Sequence, residues 1–276
     1  MNIKFADLHL HTNFSDGTYT PEELVLRALK ANLSCISLTD HDTTEGLERA
    51  MAEGKRNGLE VLPGIEISAQ HGSAEVHILG YLIDYRSDLF LNKLQELKRI
   101  RIERIYKIVE KLNGLGLRLN ADDVFALSNG AVAGRLHVAR AMVGKGLVNS
   151  IFDAFDKYIG DSGPAYELGF RFTPQEAIDF IITSGGIPVL AHPYIFHNDE
   201  LVIDFIKSGL KGLEVYYPEH SQGEVNYYLS LAKEYNLLVT GGSDCHGAGK
   251  SKERIGSIKV PYYLVERMKQ EKERSG

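Results

Sequence analysis

The sequence has little cysteine, no long apolar run and no excess of positive charge, and each shortage excludes a class of protein. Two cysteines in 276 residues are too few for the disulfide framework of a small secreted scaffold. No stretch is long and apolar enough to cross a bilayer, and the opening residues lack the apolar core of a signal peptide. A net charge of -6 does not indicate the positively charged surface that proteins use to bind long duplex nucleic acid. We therefore expect a cytoplasmic monomer with neither a membrane nor long duplex nucleic acid as partner.

The sequence does contain a regular alternation of strand and helix patterns. Strand-like runs alternate with amphipathic helices over residues 1–87 and again over 166–276, and capping boxes at Thr20 and Thr173 mark two helix starts. Repeated β–α units predict parallel strands, and six or more of them favour a closed or distorted barrel. Residues 88–165 are helical with few strand-like runs. We predict an α/β fold in which 1–87 and 166–276 form the barrel and 88–165 form a helical insertion subdomain.

The first candidate site is the segment Asp7-Leu8-His9-Leu10-His11, which lies on the first predicted strand. Side chains alternate along a strand, so Asp7, His9 and His11 share a face, and the two imidazoles can bind one cation. Asp7 is placed to hold a histidine in one tautomer. The alternative is a strand whose histidines are polar tips on a solvated face.

Further ionisable residues interrupt or follow apolar strands later in the chain. They are Asp40, His41, Glu66, His77, His192, Asp244 and His246. Each has an ordinary alternative when taken singly, such as a helix cap at Asp42 or Thr43, or a core histidine at His77. The carboxyl ends of parallel barrel strands meet on one face, so we expect most of these side chains to converge there. Mixed imidazole and carboxylate ligands suit zinc, manganese or iron, with Glu66 as the natural bridging carboxylate.

Taken in order, these motifs resemble those of the PHP family, named for polymerase and histidinol phosphatase. The resemblance covers nearly the whole chain and implies a distorted (β/α)7 barrel that holds two or three divalent cations (Mn, Fe or Zn). It implies three ligand sets, namely His9, His11, Glu66 and Asp244; Glu66, His77 and His192; and Asp16, His41 and His246. The last set is expected to act in catalysis, and Asp7 and Asp40 are expected to support the ligands. Asp16 stands where many histidinol phosphatases of the family have histidine, which disfavours that activity.

The chain also resembles one branch of the family that carries a helical insertion. That branch includes enzymes that remove the 3′-phosphate of nucleoside 3′,5′-bisphosphates, such as adenosine 3′,5′-bisphosphate, by a metal-activated hydroxide. The resemblance implies a small phosphorylated substrate, a nucleotide or short oligonucleotide. Arg135, His137 and Arg140 would then bind a second phosphate, although arginines on an insertion helix also suit a solvated face. His220, after another strand, would line the site.

Four alternatives stay open at this point. They are a 5′-3′ exoribonuclease acting on short RNA, a histidinol-phosphate phosphatase, a metal-dependent hydrolase of carbon–nitrogen bonds, and a non-catalytic metal-binding module.

Overall fold

The computed structural model describes residues 3–72, 74–128, 132–168, 172–196, 199–247 and 254–275. At its centre is one eight-stranded sheet in the order β7-β6-β5-β4-β3-β2-β1-β8. The strands are β1 (Phe5–Leu10), β2 (Cys35–Leu38), β3 (Glu60–His71), β4 (Ala74–Tyr81), β5 (Ile187–Leu190), β6 (Gly212–Tyr216), β7 (Leu238–Gly241) and β8 (Val260–Pro261). The sheet curves until the end of β1 meets the segment after β7, where Leu10 and Cys245 form a parallel bridge. The barrel is therefore nearly closed, and the predicted fold class is confirmed.

Within the run from β1 to β7, one strand has the opposite direction to the one that the β–α alternation predicts. β4 is antiparallel to both β3 and β5, whereas β1, β2 and β3 are parallel to one another, as are β5, β6 and β7. The connection between β3 and β4 is too short for a parallel crossover, so these strands form a hairpin. The reversal places the beginning of β4, with His77, at the end of the barrel where the parallel strands finish.

Six helices accompany the barrel strands in the described part of the chain. They are α1 (Pro21–Lys30), α2 (Leu47–Asn57), α7 (Pro174–Thr183), α8 (Asp199–Lys207), α9 (Gln222–Glu234) and α10 (Tyr262–Ser275). The predicted capping boxes are present: the Thr20 hydroxyl accepts from the Glu23 N–H, and the Thr173 hydroxyl accepts from the Glu176 N–H. A helix cap at Asp42 or Thr43 is wrong, because α2 begins only at Leu47.

The final strand is short. β8 contains two residues and pairs antiparallel with the start of β1. The segment before it turns at Gly256, whose φ of 71° lies in the left-handed region that glycine adopts readily.

The insertion consists of helices that share a hydrophobic core of their own. They are α3 (Asp88–Gly114), α4 (Ala121–Ser128), α5 (Arg135–Gly144) and α6 (Ile151–Ala154), with α6 continued by a π-helix over Phe155–Ile159. Their shared core includes Ile105, Ile108, Leu112, Val138 and Met142. One of several contacts between the insertion and the barrel is the hydrogen bond that the Val132 N–H donates to the Phe14 carbonyl at 3.2 Å. Its separation as a subdomain at residues 88 and 165 stays a prediction.

Alternation along β3 explains how a carboxylate comes to lie inside this apolar sheet. Ile65 and Ile67 pack into a hydrophobic cluster with Phe90 and Ile178, so Glu66 faces the opposite side of the sheet.

Among the described residues, no helix combines the length and apolarity needed to cross a membrane.

Candidate metal centre

The site is organised around Glu66, which is 1% exposed. Its Oε2 atom lies 3.2 Å from His9 Nε2, 3.2 Å from His11 Nε2 and 3.3 Å from His41 Nδ1. These histidines come from the end of β1 and the segment after β2, so the parallel strands deliver them to the same place. One carboxylate oxygen therefore faces three imidazole nitrogens.

The other oxygen of Glu66 faces two more histidines. Its Oε1 atom lies 2.9 Å from His77 Nδ1 and 3.4 Å from His192 Nε2. The two facing ring nitrogens are 3.3 Å apart. His77 reaches this position because β4 is reversed, and His192 follows β5 with a left-handed φ of 30°. Glu66 thus has the arrangement of a carboxylate shared between two neighbouring clusters of nitrogen ligands.

Asp244 and Asp16 add two more carboxylates beside His11. Asp244 Oδ1 lies 3.2 Å from His11 Nε2, and Tyr217 donates its hydroxyl to Asp244 Oδ2 at 3.0 Å. Asp16 Oδ1 lies 3.1 Å from His246 Nε2. The rings of His11 and His246 are stacked with centroids 4.1 Å apart.

All nine residues predicted as metal ligands therefore lie in one connected site. Their ligand atoms form three groups, each with its atoms within 4.8 Å of one another: His11, Asp16, His41 and His246; His9, His11 and Asp244; and His41, Glu66 and His77. These groups overlap the ligand sets that the family resemblance implies, with His11 and His41 each belonging to two of them.

The chemistry of this donor set fits divalent cations. Burial lowers the pKa of His11 and His77, but neighbouring carboxylates outweigh burial and raise their pKa values to about 9 and about 10. Burial raises the pKa of Glu66, yet the histidines around it hold that pKa well below its usual range. The site attracts positive charge, which a divalent cation supplies. Within the described residues, buried atoms such as His11 Nδ1, His41 Nδ1 and Glu66 Oε1 have close polar neighbours but none in hydrogen-bonding geometry, as expected of atoms aimed at a metal.

Two carboxylates that contact the histidines were missed in the sequence. Glu214 on β6 is fully buried, lies 2.9 Å from His9 Nδ1, and accepts from the His192 N–H at 2.9 Å. A proton shared at Nδ1 leaves His9 Nε2 with its lone pair toward Glu66. Glu214 lies between Leu213 and Val215, so the reasoning that identified Glu66 applies equally to it. Glu75, the second, contacts His77 Nε2 at 3.1 Å.

Asp7 and Asp40 hold loops rather than histidine rings. Asp7 accepts from the backbone N–H groups of Ser243 and Gly256 at 2.8 and 3.0 Å, which fixes the segment that carries Asp244. Asp40 accepts from the Thr12 N–H and hydroxyl at 2.7 and 2.6 Å and from the Ser15 hydroxyl. The predicted tautomer role of Asp7 is therefore wrong, because Glu214 contacts His9.

The residues predicted to bind substrate fall into different environments. Arg135 is engaged in ion pairs with Glu75 at 3.1 Å and Asp161 at 2.6 Å. By contrast, the buried Nη2 atom of Arg140 has no hydrogen-bond partner among the described residues, and burial lowers its pKa while Asp16 raises it.

Of the two histidines predicted to bind substrate, His137 is buried and His220 is half-buried. His137 is 2% exposed and accepts at Nδ1 from the Gly134 N–H, and burial lowers its pKa to about 4, so it stays neutral and carries its proton at Nε2. His220 donates from Nδ1 to the Val215 carbonyl at 2.8 Å and lies among tyrosines that include Tyr194 and Tyr217.

The chain is similar in sequence and in structure to several known proteins. Residues 7–168 match the PHP domain. The chain is 31% identical over 256 residues to a 3′,5′-nucleoside bisphosphate phosphatase from Chromobacterium violaceum, covering 91% of this chain and 90% of that protein. It is 34% identical over 247 residues to the 5′-3′ exoribonuclease Rnm of Escherichia coli, covering 87% and 84%. A solved structure described as a metal-dependent phosphoesterase from Bifidobacterium adolescentis superposes with a TM-score of 0.88 at 32% identity, covering 95% and 94%.

Proposed function

The chain belongs to the PHP family of metal-dependent phosphoesterases, and we propose that it removes the 3′-phosphate of nucleoside 3′,5′-bisphosphates. The observation that carries the proposal is the position of Arg140 on the insertion. Arg140 is half-buried, its Nη2 atom is buried without a hydrogen-bond partner among the described residues, and the carboxylate of Asp16, one of the predicted ligands, raises its pKa against the effect of burial. A nucleoside bisphosphate has two anionic groups, and this arrangement offers a cation-binding cluster for one and an arginine for the other.

We propose that the ligands divide as the family resemblance implies. Their sets are His9, His11, Glu66 and Asp244; Glu66, His77 and His192; and Asp16, His41 and His246. When bound, two or three Mn, Fe or Zn ions would act as Lewis acids on phosphate oxygens and activate a water for attack at phosphorus. Glu66 would be shared between two ions, because its two oxygens face different groups of nitrogens.

The remaining polar groups keep these ligands in position. Glu214 holds the His9 ring and the His192 backbone, and the Tyr217 hydroxyl holds Asp244. Asp16, His41 and His246 would hold a cation that stabilises negative charge on the departing 3′-oxygen, and they are the catalytic residues of this proposal. Arg140, with the Nε2 proton of His137, would bind the remote 5′-phosphate, so that binding energy far from the reacting bond orients the substrate.

Replacing Arg140 by methionine is expected to raise the KM for adenosine 3′,5′-bisphosphate by about 10- to 100-fold, since a hydrogen bond to a charged group contributes about 1.5–3 kcal/mol. The KM for adenosine 3′-monophosphate, which lacks the 5′-phosphate, should change little. Steady-state phosphate release with both substrates measures the difference.

Lys145→Met is the matched control for Arg140→Met, because Lys145 lies at the end of the same helix and pairs with Asp123 at 2.8 Å. It should leave both KM values unchanged. If Arg140→Met lost kcat/KM equally for the two substrates, the proposal that Arg140 binds the 5′-phosphate would be contradicted.

A 5′-3′ exoribonuclease acting on short RNA is the second candidate, because the identity to the exoribonuclease Rnm is 34% over 87% of the chain. The two candidates are separated by a panel assay with manganese and four substrates: a nucleoside 3′,5′-bisphosphate, plain mononucleotides, histidinol phosphate and a short 5′-phosphorylated RNA. We expect the highest kcat/KM with the bisphosphate, and a product that retains its 5′-phosphate. Progressive shortening of the RNA with a higher kcat/KM would favour the exoribonuclease. Turnover of none of the four would contradict both candidates.

A further inference from the structure

We propose that the insertion holds one edge of the metal centre in place through Glu75. This inference rests on the proposed function, because it takes His77 as a metal ligand. Glu75 and His77 lie two residues apart at the beginning of β4, so their side chains share a face of the strand. The insertion contributes two arginines that meet at this carboxylate.

The first half of the connection joins the insertion to Glu75. Glu75 Oε2 accepts from Arg104 Nη2 on α3 at 3.2 Å and from Arg135 Nη2 at the start of α5 at 3.1 Å. Both guanidinium groups also lie over the ring of Tyr166, with their central carbons 6.0 and 5.5 Å from its centroid. The side chains of Arg104, Arg135 and Glu75 are 6%, 15% and 17% exposed, so solvent screens this contact weakly.

The second half joins Glu75 to the ligand cluster. Its other oxygen, Oε1, lies 3.1 Å from His77 Nε2. An ionised carboxylate only accepts, so this contact places the imidazole proton on Nε2. Once the ring is neutral, as cation binding requires, the lone pair on Nδ1 is directed toward the cluster, where Nδ1 lies 2.9 Å from Glu66 Oε1 and 3.3 Å from His192 Nε2. Glu75 is thus a positioning residue that fixes both the tautomer and the orientation of His77.

The consequence is a physical link between the insertion and cation binding. The arginines bind one oxygen of Glu75 and leave the other directed at His77, so movement of α3 or α5 would release the ring. Carboxylates that hold metal-binding histidines usually contribute about 10- to 100-fold to metal affinity. The insertion would therefore help to set metal affinity.

The test compares the full-length protein with its Glu75→Gln and Arg104→Gln variants, using calorimetric titration with Mn²⁺. Glu75→Gln keeps the shape of the side chain but removes its charge, and we expect about 10- to 100-fold weaker binding at one class of sites. Arg104→Gln should weaken binding in the same direction by less, because Arg135 still contacts Glu75. Thermal unfolding identifies any variant that fails to fold. The Mn²⁺ affinity of the other variant then decides the outcome.

A nuclear magnetic resonance measurement adds a readout that a general structural role would not change. In zinc-loaded protein the Nε2 proton of His77 should resonate downfield, and in Glu75→Gln it should move upfield, because a neutral amide is the weaker acceptor. Lys107→Gln is the matched control, since Lys107 lies on the same helix and pairs with Glu167 at 3.4 Å without contacting Glu75. It should bind Mn²⁺ like the wild type.

The outcomes separate this inference from the function on which it rests. If His77→Ala weakens Mn²⁺ binding while Glu75→Gln and Arg104→Gln bind like the wild type, the role of the insertion is overturned and the ligand set stands. If His77→Ala itself binds Mn²⁺ like the wild type, His77 is not a ligand, and the proposed ligand set fails together with this inference.

Discussion

Replacing Glu66 by glutamine is expected to lower kcat by at least about 1,000-fold, equivalent to about 4 kcal/mol of transition-state stabilisation, and to reduce the number of bound divalent cations. The large effect follows from the position of the side chain. One carboxylate faces five histidines through two oxygens, so a neutral amide disturbs both clusters at once. Phosphate release and metal content by mass spectrometry, measured on the same preparation, test this expectation.

Glu60→Gln is the matched control for Glu66→Gln. Glu60 lies at the start of the same strand, where it contacts Tyr262 at 2.5 Å and is also paired with Lys269, away from the ligand cluster. It should retain its metal content and its activity. Wild-type kcat in Glu66→Gln would contradict the central role of Glu66, as would an equal loss of activity in both variants.

Replacing Arg101 by methionine is expected to lower the free energy of unfolding by about 3–5 kcal/mol, because removing one partner of a buried ion pair leaves an uncompensated charge. Arg101 on α3 donates from Nε to Asp42 Oδ2 at 2.6 Å and from Nη2 to the Ser68 hydroxyl at 2.6 Å. Arg101 and Asp42 are 6% and 1% exposed. The pair connects the insertion to the segment that carries His41. Denaturant titration of each protein under the same buffer conditions measures the loss.

The exposed pair between Arg49 and Glu22 is the control for Arg101. Arg49 contacts the Glu22 carboxylate through two nitrogens, both at 2.8 Å, but its side chain is 48% exposed. Arg49→Met should therefore cost less than about 1 kcal/mol. The double variant Arg101→Met/Asp42→Asn should recover part of the loss, because it also removes the stranded charge. A loss in Arg101→Met no greater than that in Arg49→Met would contradict this account.

The sequence predicts the barrel and the ligand cluster well because both depend on local patterns. Apolar strands that end in His11 or His192 place these side chains at a common end, and the glycines before Asp244 let its segment approach β1 closely. A Cβ atom on Gly242 would lie 2.3 Å from the Cβ atom of His9, so only glycine fits there without displacement.

The sequence predicts poorly whatever depends on the direction of a strand or on a distant partner. The strand pattern of β4 is the same in either direction, and its reversal follows from a short connection to β3. Arg135 has the residue type expected for a phosphate pocket, but the structure pairs it with Glu75, sixty residues away along the chain. Long-range ion pairs of this kind leave no periodic signal. Glu214 is different, since a carboxylate between two apolar residues was visible in the sequence.

The central claim is that residues from His9 to His246 gather around shared cations. Anomalous diffraction from crystals soaked with zinc tests it most directly, because the anomalous signal locates the metal independently of the protein coordinates. The account predicts two or three peaks, each about 2.0–2.2 Å from imidazole nitrogens and carboxylate oxygens of the ligand sets, with Glu66 contacting two of the peaks. Peaks confined to surface histidines, with no density between Glu66 and the surrounding imidazoles, would contradict it.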